Sequence, residues 1–340
     1  MRFKTSVRNI QTFTKLTASL SSLGKVAWVR LDDDAVRFTI IPETGTQVWA
    51  SLSIDSIFED YTIQSAAPSN TINLELPLPP LHRALKSAIN ATSASIRLTK
   101  KDGVPVLSLT IITNTISSGH SGHGFLNESA APDPFGDNAF REESLDAGMG
   151  RDRETIVTQD IPIRVLTADS VEGIHEPRVR ESDAHIILPS LIQLKAISDR
   201  FTKLAMATTN GRSSSTAAPK LELAANMHGS LKLSIATDAL NISSVWTGLN
   251  NPELDPRQVE DGADLEEHPS MKLKAAGPDA WSTVRIDGRD WGKVLSVGRL
   301  GGRVIACFSD EHALILYVYL SNYDGADESV LTYYISSFSV

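Results

Sequence analysis

The sequence predicts an α+β fold of antiparallel sheets with helices on one face, arranged as two similar domains. Three observations predict it. One plan, a strand followed by a helix and then a strand hairpin, occurs four times along the chain. The strands alternate apolar and polar residues, as an antiparallel sheet with one buried face requires. The helices carry apolar residues at helical spacing, so each has one stripe to bury.

The first copy opens with RFKTSV at Arg2 and runs into a helix over Asn9–Leu23, where Phe13, Leu16, Leu20 and Leu23 share a face. Trp28-Val29-Arg30-Leu31 alternates as a strand, and Asp32-Asp33-Asp34 follows as an acidic β-turn, a better reading of three aspartates than a hard-cation site. The second copy is the clearest: strand Thr71–Leu76, helix Pro79–Ala91, then strands Ser95–Leu98 and Val104–Ile112 around the turn Lys101-Asp102-Gly103. Strand character resumes at Thr155–Leu166, and Pro162 inside it marks an edge strand or bulge. The third copy begins at His185 with a helix over Pro189–Ala205, whose stripe is Leu191, Leu194, Ile197, Phe201 and Leu204. Lys220–Leu223 and Ser230–Ile235 alternate around a turn at Met227-His228-Gly229. The fourth copy begins at Thr283 with a helix over Arg289–Gly298, and Asp310-Glu311-His312 marks its hairpin turn. Gly298-Arg299-Leu300-Gly301-Gly302 follows a helix instead of preceding one, so it reads as a helix stop and not as a phosphate loop.

These copies divide the chain into a first domain, 1–166, a polar and acidic connector, 167–183, and a second domain, 184–340. Ser117–Glu154 has no helical or strand period and reads as a flexible insertion at a hairpin tip. Leu249–Ser270 is a second acidic loop, with three prolines, and Ala207–Pro219 a shorter low-complexity loop. The net charge of -9 is concentrated in the two acidic loops, which hold an excess of eleven negative charges over residues 125–154 and 249–270 and leave the remainder at +2. Local patches decide electrostatic binding, so the acidic total does not exclude a polyanionic partner.

Catalytic signals are poor. There is no GxxxxGK, HExxH or GxSxG motif. His120 and His123 have chelating spacing but no third fixed ligand. Cys307, the single cysteine, lies in the apolar run Val304–Phe308 and reads as a buried small hydrophobe; no intrachain disulfide is possible. No apolar run reaches the length of about 18 residues that a membrane helix needs. The N-terminus lacks the apolar core of a signal peptide. The residues imply no cofactor, no metal and no membrane partner.

The order strand, helix, three strands, twice per domain with an acidic connector between, resembles the sliding-clamp fold of PCNA. More narrowly, MRFKTSV, Leu81–Ile111 and Ile156–Val165 resemble the HUS subunit family of the nine-one-one DNA-damage checkpoint clamp. The resemblance implies two PCNA-like domains in a non-enzymatic subunit of a closed heterotrimeric ring. Its partners would be two related subunits, double-stranded DNA through the ring, a clamp loader, and checkpoint and repair clients. A nuclear location is implied with them, although no run of lysines and arginines resembles an import signal.

Helices lining such a ring must tolerate phosphates, and their candidates are Lys15, Arg83, Lys86, Lys195, Arg200, Lys203, Arg289, Lys293 and Arg299. Asp199 and Asp290 work against this, since Lys195–Asp199–Lys203 equally fits a surface charge ladder. The edge strands that would join neighbours match Ile156–Leu166, with Ile156, Val157, Ile161, Pro162, Ile163 and Val165, and Asn241–Thr247, with Ile242, Val245 and Trp246. Trp246 fits an interface or the core equally. The connector, with Ile174 and Val179 among its few apolar residues, matches the loop beneath which clamps bind client peptides. Two other readings remain: a homotrimeric replication clamp, disfavoured by near-neutral helix faces and acidic insertions, and a metal-dependent DNA-processing enzyme, disfavoured by the lack of a carboxylate–histidine constellation.

Overall fold

The computed structural model describes residues 1–43, 45–116, 152–209, 220–252, 267–320 and 329–338. His120, His123, most of the 117–154 insertion and the centres of the other two loops lie outside the described residues. The chain forms β1 (Arg2–Val7), α1 (Ile10–Leu23), β2 (Val26–Leu31), β3 (Ala35–Ile40), β4 (Gln47–Ser53), α2 (Ile54–Ile57) and β5 (Phe58–Gln64). It continues with β6 (Ile72–Pro77), α3 (Leu78–Ser87), β7 (Ser93–Lys101), β8 (Val104–Ile116), β9 (Asp152–Pro162), β10 (Arg164–Leu166) and the single turn α4 (Ala168–Val171). After this come β11 (Ala184–Ile187), α5 (Leu191–Thr209), β12 (Lys220–Ala225), β13 (Leu231–Thr237), β14 (Leu240–Trp246) and α6 (Pro269–Ala275). The last copy is β15 (Ser282–Asp287), α7 (Gly288–Val294) with a 3-10 turn over Leu295–Leu300, β16 (Arg303–Ser309), β17 (Ala313–Leu320) and β18 (Ser329–Ser336).

The copies exchange their first strands. β1 joins the hairpin strands of the second copy in a five-stranded sheet, β5-β1-β7-β8-β9. β6 returns to the strands of the first copy. β11 and β15 make the same exchange, so β15 completes the four-stranded sheet β14-β13-β12-β15. β4 pairs with β18 from Gln47↔Tyr334 to Ser51↔Val330. That pairing fuses the two halves into one nine-stranded sheet, β10-β6-β2-β3-β4-β18-β17-β16-β11. All these pairs are antiparallel, as the alternation required.

The helices share one side. α1 packs against α3 on one flank and against α7 and its 3-10 turn on the other, and α5 packs on that same turn. Asn9 caps α1 by accepting from Thr12 N at 2.9 Å, and the Phe13, Leu16 and Leu20 side chains are buried. In α5 the buried row drifts away from the sequence stripe. Ser198, Thr202 and Ala205 are buried while Leu204 is 43% exposed. Ser198 has a reason to be inside: its hydroxyl donates to Leu194 O at 2.7 Å and accepts from Trp291 Nε1 at 3.1 Å, which satisfies two buried polar groups at once.

Three expected boundaries move. The second helix is Leu78–Ser87, shorter than Pro79–Ala91, because Ala88 N folds back to Leu85 O and ends it. The fourth tightens into a 3-10 turn after Val294 and stops at Gly301, whose φ of 73° suits glycine. The strand over Thr155–Leu166 splits at Ile163, where β9 leaves the five-stranded sheet and β10 joins the nine-stranded one. The tight turns fall where expected. Asp102 (φ 51°) and Gly103 (φ 81°) make a two-residue hairpin turn with both residues left-handed. Asp32 Oδ1 accepts from Ala35 N at 2.7 Å, and Oδ2 binds Arg37, so this aspartate serves the turn.

Candidate functional site

The helix row presents a basic surface of uneven quality. Lys15 on α1 and Arg83 and Lys86 on α3 are exposed and have no carboxylate partner among the described residues. α1 and α3 contain no acidic residue. Arg200 and Lys203 on α5, Arg289 and Lys293 on α7, and Arg299 on the 3-10 turn are exposed as well. Lys195 is different. Its Nζ donates to Gly292 O at 2.7 Å and pairs with Asp199 Oδ2 at 3.2 Å. It ties α5 to α7, and the charge-ladder reading holds for this pair. Lys293 pairs with Asp290 at 2.8 Å. Seven of the nine candidate cations therefore keep an uncommitted charge among the described residues.

Six sheet edges are described, and they are managed differently. β10 and β11 are only three and four residues long. β5 is broken by Asp60, whose φ of 51° accompanies a register shift against β1, and bulges twist an edge away from further pairing. β15 is capped: Glu311 N donates to Thr283 O at 2.8 Å, Phe338 N to Arg285 O at 2.8 Å, and Thr283 N to Asp310 Oδ1 at 2.7 Å. That leaves β9, with eleven residues, and β14, with seven. Each is the last strand of its sheet and is uncovered among the described residues.

On β9, Ile156 is 62% and Val157 42% exposed. Pro162 closes the strand opposite Val106, where its missing N–H costs the sheet little. Ile161 and Ile163 are buried and Val165 half-buried, and Ile163 N donates to Pro105 O at 3.1 Å, so the two buried isoleucine side chains are turned inward. An edge strand still has one face on the core, which strand assignment alone does not resolve. Gln159 Nε2 donates to Ser87 Oγ at 2.9 Å, so the Val157–Gln159–Ile161 face looks toward α3. Lys101 Nζ donates to Asp160 Oδ2 at 2.9 Å, holding Asp160 below and Lys101 above their usual ranges. On β14, Val245 is 53% exposed, while Ile242 and Trp246 pack partly on the core. Trp246 therefore packs partly on the core while standing on an edge strand.

Segment 167–183 crosses the face of the nine-stranded sheet turned away from the helices. Beneath it lies a cleft of about 370 Å³ lined by Trp28, Trp49, Arg30, Arg37, Asn73 and Ile174 among others. Of the two connector residues named from the sequence, Ile174 lines the cleft, while Val179 is half-buried and does not. The two tryptophans were not singled out by sequence, because period two also accounts for an aromatic on an exposed sheet face. Among the described residues no three His, Cys, Asp or Glu side chains converge on a metal-sized site. Burial pushes the Cys307 thiol up to about 12, which leaves it inert as a nucleophile at neutral pH.

The strand exchange, the row of four helices and the fused nine-stranded sheet define a PCNA-like sliding-clamp fold. Solved structures agree. The chain is similar to Proliferating Cellular Nuclear Antigen from Entamoeba histolytica, with a TM-score of 0.62, 12% identity and 99% of both chains covered. It is likewise similar to PCNA from Thermococcus kodakaraensis, with a TM-score of 0.58, 14% identity, and 99% and 100% covered. Within that class the chain belongs to the Hus1-like protein family, whose model matches residues 1–339. It is 38% identical to Checkpoint protein hus1 of Schizosaccharomyces pombe over 99% of both chains. It is 24% identical to Checkpoint protein HUS1 of Homo sapiens, covering 78% of this chain and 80% of that one. Family and fold together make it a checkpoint clamp subunit and do not favour the replication-clamp or enzyme readings.

Proposed function

We propose that the chain is one subunit of a heterotrimeric ring that encircles duplex DNA in the nucleus and acts as a non-enzymatic scaffold for damage-checkpoint and repair factors. In this reading 1–166 and 184–340 are the two clamp domains, 167–183 is the connector, and a clamp loader opens the ring. The single observation that carries the assembly is the contrast among sheet edges. Exposed edges are an aggregation hazard that proteins blunt. Here the edges other than β9 and β14 are short, bulged or capped. β9 and β14 remain long, with Ile156, Val157 and Val245 exposed along them, as strand addition by a neighbour at each edge requires.

The helix row supplies the second support. Lys15, Arg83, Lys86, Arg200, Lys203, Arg289 and Arg299 would meet phosphates as loosely held charges, a mode that neutralises a backbone without reading bases. Lys195 is assigned to the α5–α7 contact instead. Clients would dock in the cleft beneath the connector, where Trp28 and Trp49 offer aromatic walls beside Arg30 and Arg37. The test is topological. The co-purified three-subunit ring, loaded on circular DNA, should be released when the circle is cut once. Equal retention on cut and uncut DNA at the same ionic strength would mean that contact, not encirclement, holds it.

A further inference from the structure

The ends of segment 167–183 are held far more firmly than its middle. At its start, β10 pairs with β6 through Leu166↔Asn73, and Thr167 Oγ1 meets Ser170 Oγ at 2.8 Å. At its end, Arg180 Nη2 donates to Asp183 Oδ2 at 2.8 Å and to Asp310 O at 3.2 Å. Asp310 N donates to Asp183 Oδ2 at 2.7 Å, and Asp183 N to Phe308 O at 2.7 Å. Between these clamps, over residues 172–179, one side-chain hydrogen bond to the sheet is described: the Tyr334 hydroxyl donates to Glu176 Oε1 at 2.7 Å. The remaining attachment is apolar, from Val171 and Ile174 in the cleft wall.

We propose that residues 172–179 form a strap over the cleft, latched closed by the Tyr334–Glu176 hydrogen bond. The donor stands on β18, in the second half of the chain. The acceptor lines the cleft next to walls supplied mainly by the first half. The bond between them therefore ties the strap to the second half while Ile174 rests in the cleft wall. Burial and the adjacent Glu176 keep the Tyr334 proton in place far above neutral pH, so the tyrosine remains a donor to a carboxylate, the stronger kind of hydrogen bond. With the strap down, the cleft has room for a side chain or two; with the latch released, it would take a peptide segment. That consequence rests on the reading that clients dock beneath the connector. The latch itself does not.

Hydrogen–deuterium exchange of the full-length chain, followed by mass spectrometry, tests it without any client. Tyr334→Phe, and separately Glu176→Ala at its exposed position, should speed exchange of the Ile174 amide, which donates to Val171 O at 3.0 Å, roughly threefold to tenfold, the loss of one net hydrogen bond. Glu176→Gln keeps an acceptor for the hydroxyl and should stay within about twofold of the parent. Amides of β17 and β18 should not change. A wild-type rate at the Ile174 amide in both disruptive variants would overturn the latch, and so would a rise spread equally over the whole sheet. Either result would leave client docking standing. Conversely, clients that ignore an unlatched cleft would reject docking while the exchange data kept the latch.

Discussion

The two halves of the molecule repeat one plan but treat charge differently on the helix row. In the first half α1 and α3 carry three exposed cations and no carboxylate. In the second half α5, α7 and the following turn carry six cations, and Asp199 and Asp290 engage two of them. A count of basic residues would rank the second half as the stronger phosphate surface. The geometry gives Lys195 a structural task, since it supplies the Gly292 carbonyl with a partner from the neighbouring helix. The two edges differ in the same spirit: β9 exposes Ile156 and Val157, while β14 exposes Val245 but keeps Ile242 and Trp246 against the core.

The sharpest way to break the comparison is at the edges. Ile156→Asp and Val245→Asp each bury a charge only if a neighbour's strand pairs there. Each should weaken assembly with one partner by more than about tenfold while leaving the isolated fold intact, since surface substitutions usually shift stability by about 0.5 kcal/mol or less. Loss of both partners from one substitution would contradict two separate edges; the measurement is pull-down of each partner co-expressed singly with the chain.

Next comes charge. Replacing Lys15, Arg83 and Lys86 together by alanine should reduce the slope of log affinity against log salt by as much as about 2.7 on duplex DNA, at about 0.9 for each phosphate no longer neutralised. Lys195→Ala should leave that slope unchanged. Titration of the assembled ring at several salt concentrations separates the two, and a fall of about 0.9 in the slope for Lys195→Ala would place its charge on DNA after all.

Lys195→Ala should instead destabilise the chain by about 1–2 kcal/mol, because the Gly292 carbonyl and Asp199 are both left without their lysine partner. Lys15→Ala, its first-half counterpart, should change stability by less than about 0.5 kcal/mol. Denaturant midpoints at constant slope would show this, and equal losses would erase the distinction between the halves.

The smallest expected effect is on pH. His185, on the strand that opens the second half, is 5% exposed, and burial holds its imidazole below the ordinary value, aided by the nearby His268 and Lys274 charges. The folded state thus favours the neutral ring, while the unfolded chain takes up a proton below about pH 6.5. The stability this gives is complete above that pH and is lost as pH falls further. β1, at the same place in the first half, has no histidine. Melting temperature followed from pH 7.5 to 5.5 should fall less in His185→Gln than in the parent, and parallel curves would remove His185 from the account.

Much of the architecture was legible because local periodicity fixes what each segment buries. Phe13, Leu16 and Leu20 named the inner face of α1, and Pro162 marked an edge. The exchange of first strands was not legible: period two states that a strand has two faces but not which strand lies beside it. The same limit hid the burial of Ile161 and Ile163, whose strand is an edge sideways and core on one face. The partner of Lys195 is a backbone carbonyl 97 residues away, which no spacing rule reaches. The cleft and its strap escaped for a related reason, since Glu176 and Tyr334 are separated by 158 residues and brought together by the β4–β18 junction.

The central claim is that this chain completes a ring only with two different partners. The direct measurement is its solution mass by light scattering after gel filtration, alone and co-expressed with the two other checkpoint-clamp subunits. The account predicts a stable 1:1:1 complex, and a monomer or poorly behaved protein when the chain is alone. A homotrimer formed by the chain alone, or a well-behaved monomer that ignores both partners, would contradict it.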